Sequence, residues 1–379
     1  MEDKMKCIYC GEETSDVKSK EHVIPAFLGG KRKLPAGYVC DHCNQVTFSK
    51  IENNVARYSM IRIFRSFQGP GKRGSISPSK AYVDQWSSAL DDDGNIQPVY
   101  VSNAKPYAVP ALKIQLREND DFSMEGLYFR EDLDIEEFIE KLKNINSESI
   151  KIQQNDELIN ENQILVIYDV PSHYRNHKNQ IKKFEDKYFI VLKHSKIDNN
   201  KVENVLNNIK SKDIYVDRVE KRSSKMVVNY KIDHNINHFN RVILKIMLNT
   251  LAYFEGKEFI NNPNFDQAKS FVLTGEGDSS CQFLDPGNLT TTMDCLLETN
   301  VNTSYSIYCK IPERDVIISI VCLYGNFKYM KMFDINLIGT KELKFGFDGL
   351  VVDIKNSQEN TANDLIYKRL CEMFDNEDL

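Results

Sequence analysis

Two cysteine pairs and the residues between them carry the chemistry open to this sequence. Cys7 and Cys10 form one C-x-x-C unit, and Cys40 and Cys43 form a second thirty residues later. Four thiolates brought together suit a tetrahedral Zn²⁺ and leave no open coordination position, so such a zinc is structural. The other five cysteines, Cys281, Cys295, Cys309, Cys322 and Cys371, are scattered singly and read as ordinary thiols. Paired C-x-x-C units in a chain without a secretion signal read as metal ligands rather than disulfides. Taken alone, the pairs describe a zinc knuckle as well as an enzyme. What separates the two lies between and after them: Glu21-His22-Val23-Ile24-Pro25, then Leu28-Gly29-Gly30, and Asn44 directly after Cys43.

These elements resemble the HNH endonuclease family, in the subgroup with two zinc-binding C-x-x-C pairs. The resemblance covers residues 7–55 and rests on the acidic-His-x-x-Pro element and on Asn44. It implies a ββα-metal fold with His22 at the end of a hairpin strand, acting as general base in the hydrolysis of a DNA phosphodiester. It also implies that Glu21 and Asn44 hold one divalent ion, Mg or Mn. The residue types suit those duties. A neutral imidazole can take a proton from water, and hard divalent ions prefer oxygen donors. Many such enzymes carry an Asn before the third cysteine that orients the histidine. Here that stretch, 34–39, has no Asn, which leaves the orienting group open and keeps a second reading alive: a zinc-stabilised nucleic-acid-binding module with a degenerate centre. Glu52, two helical turns beyond Asn44, reads as a solvated helix face ahead of an added ligand. His42, between Cys40 and Cys43, reads as a bystander to the zinc.

The elements that position these groups are thin. Residues 1–44 are rich in Cys, Gly and Pro and show little apolar periodicity, so a metal staple is needed to hold them. From Val46, the recurrence of Ile51, Val55, Tyr58, Ile61 and Arg65 predicts a helix to about Phe67. Gln68-Gly-Pro-Gly-Lys-Arg-Gly74 ends it and places a domain boundary there, giving a nuclease domain at 1–74 and a second domain at 75–379. Residues 1–75 hold 13 basic and 8 acidic residues, a net of +5, against 36 and 47 in the rest, a net of −11. Phosphate affinity is therefore expected in the N-terminal part, with Arg57, Arg62, Arg65, Lys72 and Arg73 as backbone contacts to DNA.

The remainder mixes short strands and helices, which predicts an α+β class. Strands are expected at 97–101, 112–116, 164–170, 187–193 and 226–232, and surface helices at 135–145 and 201–209. Residues 240–254 form the most apolar helix and the expected core of the second domain. Tyr324-Gly325-Asn326 joins two strands of a hairpin, and 364–374 is a final helix. The layout resembles bacterial HNH proteins that pair the nuclease with an additional domain, some of them anti-phage effectors. Two roles are expected for 75–379. One is regulation by a small-molecule or nucleotide activator. The other is substrate recognition or homo-oligomer formation. The apolar runs are too short for a membrane span, and the charged start lacks a signal-peptide core, so the expected location is cytoplasmic.

Overall fold

The computed structural model describes residues 6–14, 17–68, 235–277, 281–284, 288–334 and 346–375, together with 85–90, 96–102, 105–108, 111–117, 122–128, 140, 143–144, 150–154, 163–169, 187–192, 199–211 and 227–228. The fold is α+β, with a zinc-type HNH region at the N-terminus and sheet-containing structure after it. The chain divides into two compact units, Met1–Lys80 with Ile232–Leu379, and Ala81–Lys231. This differs from the expected cut at residue 74. The first unit runs on to Lys80, past the Gly-rich stretch, which beyond Gln68 lies outside the described residues, and the chain returns after residue 231 to complete the same core.

The N-terminal segment begins with an isolated bridge between Lys6 and Glu13, then a second between His22 and Lys33. The latter is the root of a hairpin, with the Val23 amide donating to the Arg32 carbonyl at 3.0 Å and the Leu34 amide to the Glu21 carbonyl at 2.8 Å. Its loop needs two glycines. Gly29 sits at φ 88°, and a Cβ on Gly30 would lie 1.9 Å from the Ile24 carbonyl oxygen. The single helix expected from Val46 is broken in three. A π-helical run spans His42–Phe48, α1 spans Ser49–Tyr58, and α2 spans Ile61–Gln68. The break falls at Ser59, whose backbone is extended and whose hydroxyl returns to the Val55 carbonyl at 2.6 Å.

Among the described residues, the unit Ala81–Lys231 contains two sheets. β1 (Gln85–Leu90), β2 (Ile96–Ser102) and β3 (Lys105–Ala108) pair antiparallel. β4 (Ala111–Leu116), β5 (Phe122–Tyr128), β6 (Ile150–Gln154), β7 (Gln163–Asp169) and β8 (Lys187–Leu192) form a five-stranded sheet in the order β5-β4-β7-β8-β6, in which only β6–β8 is parallel. Helix α3 covers Asn199–Ser211, and β9 (Val227–Val228) joins the edge of β1. The expected strands at 97–101, 112–116, 164–170 and 187–193 and the helix at 201–209 correspond to these elements. Most of the helix expected at 135–145 lies outside the described residues.

The long helix α4 (Ile236–Glu255) then re-enters the first unit, followed by α5 (Lys257–Ile260), α6 (Asp266–Thr274), β10 (Gln282–Phe283), α7 (Asn288–Leu296), β11 (Thr303–Ile311), β12 (Val316–Leu323), β13 (Phe327–Asp334), β14 (Gly346–Asp353), β15 (Gln358–Thr361) and α8 (Ala362–Asp375). The strands make an antiparallel sheet in the order β10-β13-β12-β11-β14-β15. Alternate residues face opposite sides. Ile317, Val321, Leu350 and Val352 join α4 and the N-terminal segment in one core, while Ile320, Cys322 and Val351 pack with Leu365 and Ile366 of α8. A central strand covered on both faces explains the apolar run at 316–323.

Helix α4 is apolar around nearly its whole circumference, so it must be covered on all sides. Phe239, Ile243, Leu244, Met247, Leu248 and Leu251 are all fully buried, each stabilising the fold by about 1.5–3 kcal/mol. One side of this cover is the sheet and the other is the N-terminal segment, including Val23, Ile24, Leu28, Phe48 and Ile51. The helix expected at the heart of a separate second domain is therefore the heart of the unit that contains the HNH motif. The hairpin loop is tied to the same structure: the Lys31 and Arg32 amides donate to the Glu359 carboxylate at 2.9 and 2.6 Å.

Candidate active site

The two C-x-x-C units converge. The sulfur atoms of Cys7, Cys10, Cys40 and Cys43 all lie within 4.8 Å of one another, and Cys10 Sγ is 3.5 Å from Cys40 Sγ. A tetrahedral zinc with bonds of about 2.3 Å separates its sulfurs by roughly 3.8 Å, so this donor set fits the ion. The Cys43 amide points at Cys40 Sγ at 3.4 Å, which helps hold a thiolate there. The proton distribution shows the same crowding. The Cys43 thiol donates to Cys7 and brings Cys7 down to about 4, burial pushes Cys10 up to about 12, and Cys43 itself is driven well above the usual thiol range. Four sulfurs this close cannot all be thiolates without a cation among them. His42 is exposed and takes no part in the sulfur cluster.

His22 is half-buried on the hairpin, directly opposite the exposed Lys33 across the antiparallel bridge. Such opposed residues project to the same face with Cβ atoms about 4.5–5.5 Å apart. The exposed Lys20 precedes it by two residues. Asn44 is also half-buried, and its amide donates to Ser19 Oγ at 3.0 Å. Ser19 is in turn held by the Asp41 carboxylate, which accepts from the Ser19 amide at 3.1 Å and from its hydroxyl.

Glu21 is placed differently from its neighbour. Its side chain is 4% exposed and turned into the core, where it pairs with Lys245 of α4, a residue that is fully buried. Lys245 Nζ also lies 2.7 Å from Glu52 Oε1 and 5.0 Å from the centre of the Phe48 ring. Glu52, expected on a solvated face, is drawn inward by this ammonium. One turn along α4, Asn249 Nδ2 donates to the His22 carbonyl at 2.9 Å and approaches Glu21 Oε1 at 3.4 Å, while Asn249 Oδ1 accepts from the Tyr9 hydroxyl at 2.7 Å. Tyr9 lies between the first two cysteines and packs edge-on against Phe48 at 4.9 Å. Burial pulls the Lys245 ammonium down, but the two carboxylates outweigh it and hold it above its ordinary range. Burial pushes Glu21 up, against the pull of Lys245 and with the help of Glu52.

Residues 7–58 match the family model for HNH endonucleases. No curated protein and no solved structure matches the chain. The matched HNH segment runs from the first cysteine pair through the hairpin and the π-helical run to the end of α1. It includes Tyr9, His22, Asn44 and Glu52, but ends long before Lys245 and Asn249.

The expected site residues are therefore only partly assembled. The four cysteines meet. His22 and Asn44 are each half-buried. Glu21 does not fit as a ligand for a divalent ion in this arrangement, because its buried carboxylate is already engaged by an ammonium. Among the described residues, the cysteines are the one group of three or more His, Cys, Asp or Glu side chains close enough to share an ion. Two of the arginines expected on phosphate are not available to it. Arg62 and Arg65 are each 8% exposed. Arg65 caps α1 through the Ala56 carbonyl at 2.8 Å and lies over the Phe27 ring at 5.5 Å. Arg57 remains half-buried at the end of α1, and Lys72 and Arg73 lie outside the described residues. Lys245, Asn249 and Tyr9 were missed from sequence. The available signal was a Lys and an Asn four residues apart inside an otherwise apolar helix, which places two polar groups on one buried stripe.

Proposed function

We propose that this protein is an endonuclease that hydrolyses DNA phosphodiesters with His22 as general base. The observation that carries the reading is His22 itself: within an HNH match, it is half-exposed on a hairpin whose main chain is fixed at that residue by Asn249. In this reading the His22 imidazole takes a proton from water. The resulting hydroxide forms a bond to phosphorus, and the bond from phosphorus to the leaving 3′-oxygen breaks. Lys33 and Lys20 supply positive charge on the side of the hairpin where His22 emerges, suited to a phosphate oxygen. HNH nucleases generally use a divalent metal. Mg or Mn at this centre is part of the reading, with Asn44 as the accessible oxygen donor and Glu21 not among the ligands.

The regulatory or recognition role moves to residues 81–231, since residues 232–379 complete the nuclease-bearing unit. We assign to them the response to a small-molecule or nucleotide activator, or self-association, in an antiviral effector of the anti-phage kind. What supports this is that they form a compact unit of their own. Among the described residues no helix is long and apolar enough to cross a membrane.

A second reading, a zinc-stabilised nucleic-acid-binding module without catalysis, is favoured by one observation, the ammonium seated on Glu21. Nicking of supercoiled plasmid in Mg²⁺ and in Mn²⁺ separates the two. The wild type is expected to nick and His22→Ala to lose at least a hundredfold, with unchanged melting. Equal behaviour of the two proteins, with retained DNA binding, selects the binding module.

A further inference from the structure

We propose that Lys245 is the resident cation of the Glu21–Glu52 pair, closing Glu21 to divalent metal with a charge built into the fold. Two observations carry it. First, the ammonium is enclosed: Lys245 is fully buried near the middle of a twenty-residue helix, with Glu21 on one side, Glu52 at 2.7 Å on another and the face of Phe48 at 5.0 Å. Its stem is packed along its length, so the head group has no exposed position to retreat to. Second, the site already holds a cation of its own, since the two carboxylates share one ammonium. A divalent ion entering beside it would meet a like charge at contact distance in a medium of low polarity.

The same helix turn explains why a lysine belongs there. Lys245 and Asn249 stand four residues apart, so both project onto one stripe of α4. One neutralises Glu21 and the other holds the His22 carbonyl. Consecutive residues of the motif, one turned in and one facing out, are thus anchored by consecutive turns of a single helix.

The test uses the zinc-loaded full-length chain and Mn²⁺ alone as the probe, read by the loss of the free-ion spin-resonance signal. Wild type and Glu21→Gln are expected to bind Mn²⁺ alike, within twofold in affinity and with equal stoichiometry. Lys245→Met is expected to gain one Mn²⁺ site on the freed carboxylates, and the double variant with Glu21→Gln is expected to lose it. If Glu21→Gln weakens Mn²⁺ binding to the otherwise wild-type chain tenfold or more, the lysine does not close the site and the proposal falls. A folded Lys245→Met that gains no site overturns it too. Should Lys245→Met fail to fold, the comparison of wild type with Glu21→Gln decides alone. No arm reads nuclease activity, so the proposal can fail or stand independently of the catalytic reading.

Discussion

Replacing Lys245 by Met tests how the motif and its cover depend on each other. The substitution keeps most of the apolar stem and removes only the charge. Glu21, 4% exposed, then keeps only the long contact to Asn249 at 3.4 Å, while Glu52, 23% exposed, can turn to water. Removing one partner of a buried pair costs about 3–5 kcal/mol. For a unit of this size that corresponds to a fall of about 6–20 °C in melting temperature. The assay is a thermal melt of the zinc-loaded chain with a chromophoric chelator present, so that the transition releasing zinc identifies the unit. Glu21→Gln/Lys245→Met should melt above the single Lys245→Met, because the stranded charge is gone, with a coupling of about 0.5–3 kcal/mol. The pH dependence has a definite sign. Burial and Glu52 already raise Glu21 above its ordinary 4.5, and loss of the ammonium raises it further. A carboxylate raised in the folded state contributes stability that is present below the unfolded value and lost as pH rises through the folded one. The deficit of Lys245→Met should therefore shrink as pH is lowered from 8 towards 5. A Lys245→Met transition within about 2 °C of wild type, or a double variant no better than the single, would refute the reasoning.

Other outcomes follow from the same structure. Metal analysis should find one zinc per chain, and Cys40→Ser should lower that stoichiometry and the melting temperature together, since structural zinc in small modules contributes on the order of 10 kcal/mol. Lys33→Ala should leave stability unchanged and reduce the salt dependence of DNA binding by about one unit of log–log slope. Arg65→Ala should do the reverse, costing about 1.5–3 kcal/mol through its lost bond to Ala56 while leaving the slope alone. A fragment ending at Gly74 should fail to give a cooperative melt even with zinc, because its apolar face is completed by α4; a cooperative, zinc-dependent transition in that fragment would count against the shared core.

What could be read from sequence was what local spacing encodes. Two C-x-x-C units announce a four-sulfur cluster because each pair lies within one turn of chain. The apolar residues of α4 and the Tyr324-Gly325 turn likewise carry their structure within a few residues. What could not be read was non-local. Lys245 lies 224 residues from Glu21, and no periodicity links the two. Arg62 and Arg65 look like surface charge in a basic stretch, yet both are buried in the structure, Arg65 between the end of α1 and the Phe27 ring. Helix α2 does end at Gln68, where the Gly-rich stretch begins, but the end of a helix does not say whether later residues return to the same core.

That return constrains where control of His22 can reside. The Glu21 carboxylate and the His22 carbonyl both take their partners from α4, one turn apart. Among the described residues, no buried side-chain polar atom of Tyr9, Glu21, Lys245 or Asn249 lacks a hydrogen-bond partner. Sliding α4 by a turn, about 5.4 Å, would strand the buried Glu21 charge and free the His22 carbonyl together. The stranded charge alone costs about 3–5 kcal/mol, a large part of a typical domain's whole stability of about 5–15 kcal/mol. Helix α4 is therefore a fixed part of the site rather than a switch. In the proposed reading, control of catalysis therefore acts on the outward side, on what reaches His22, Lys33 and Asn44.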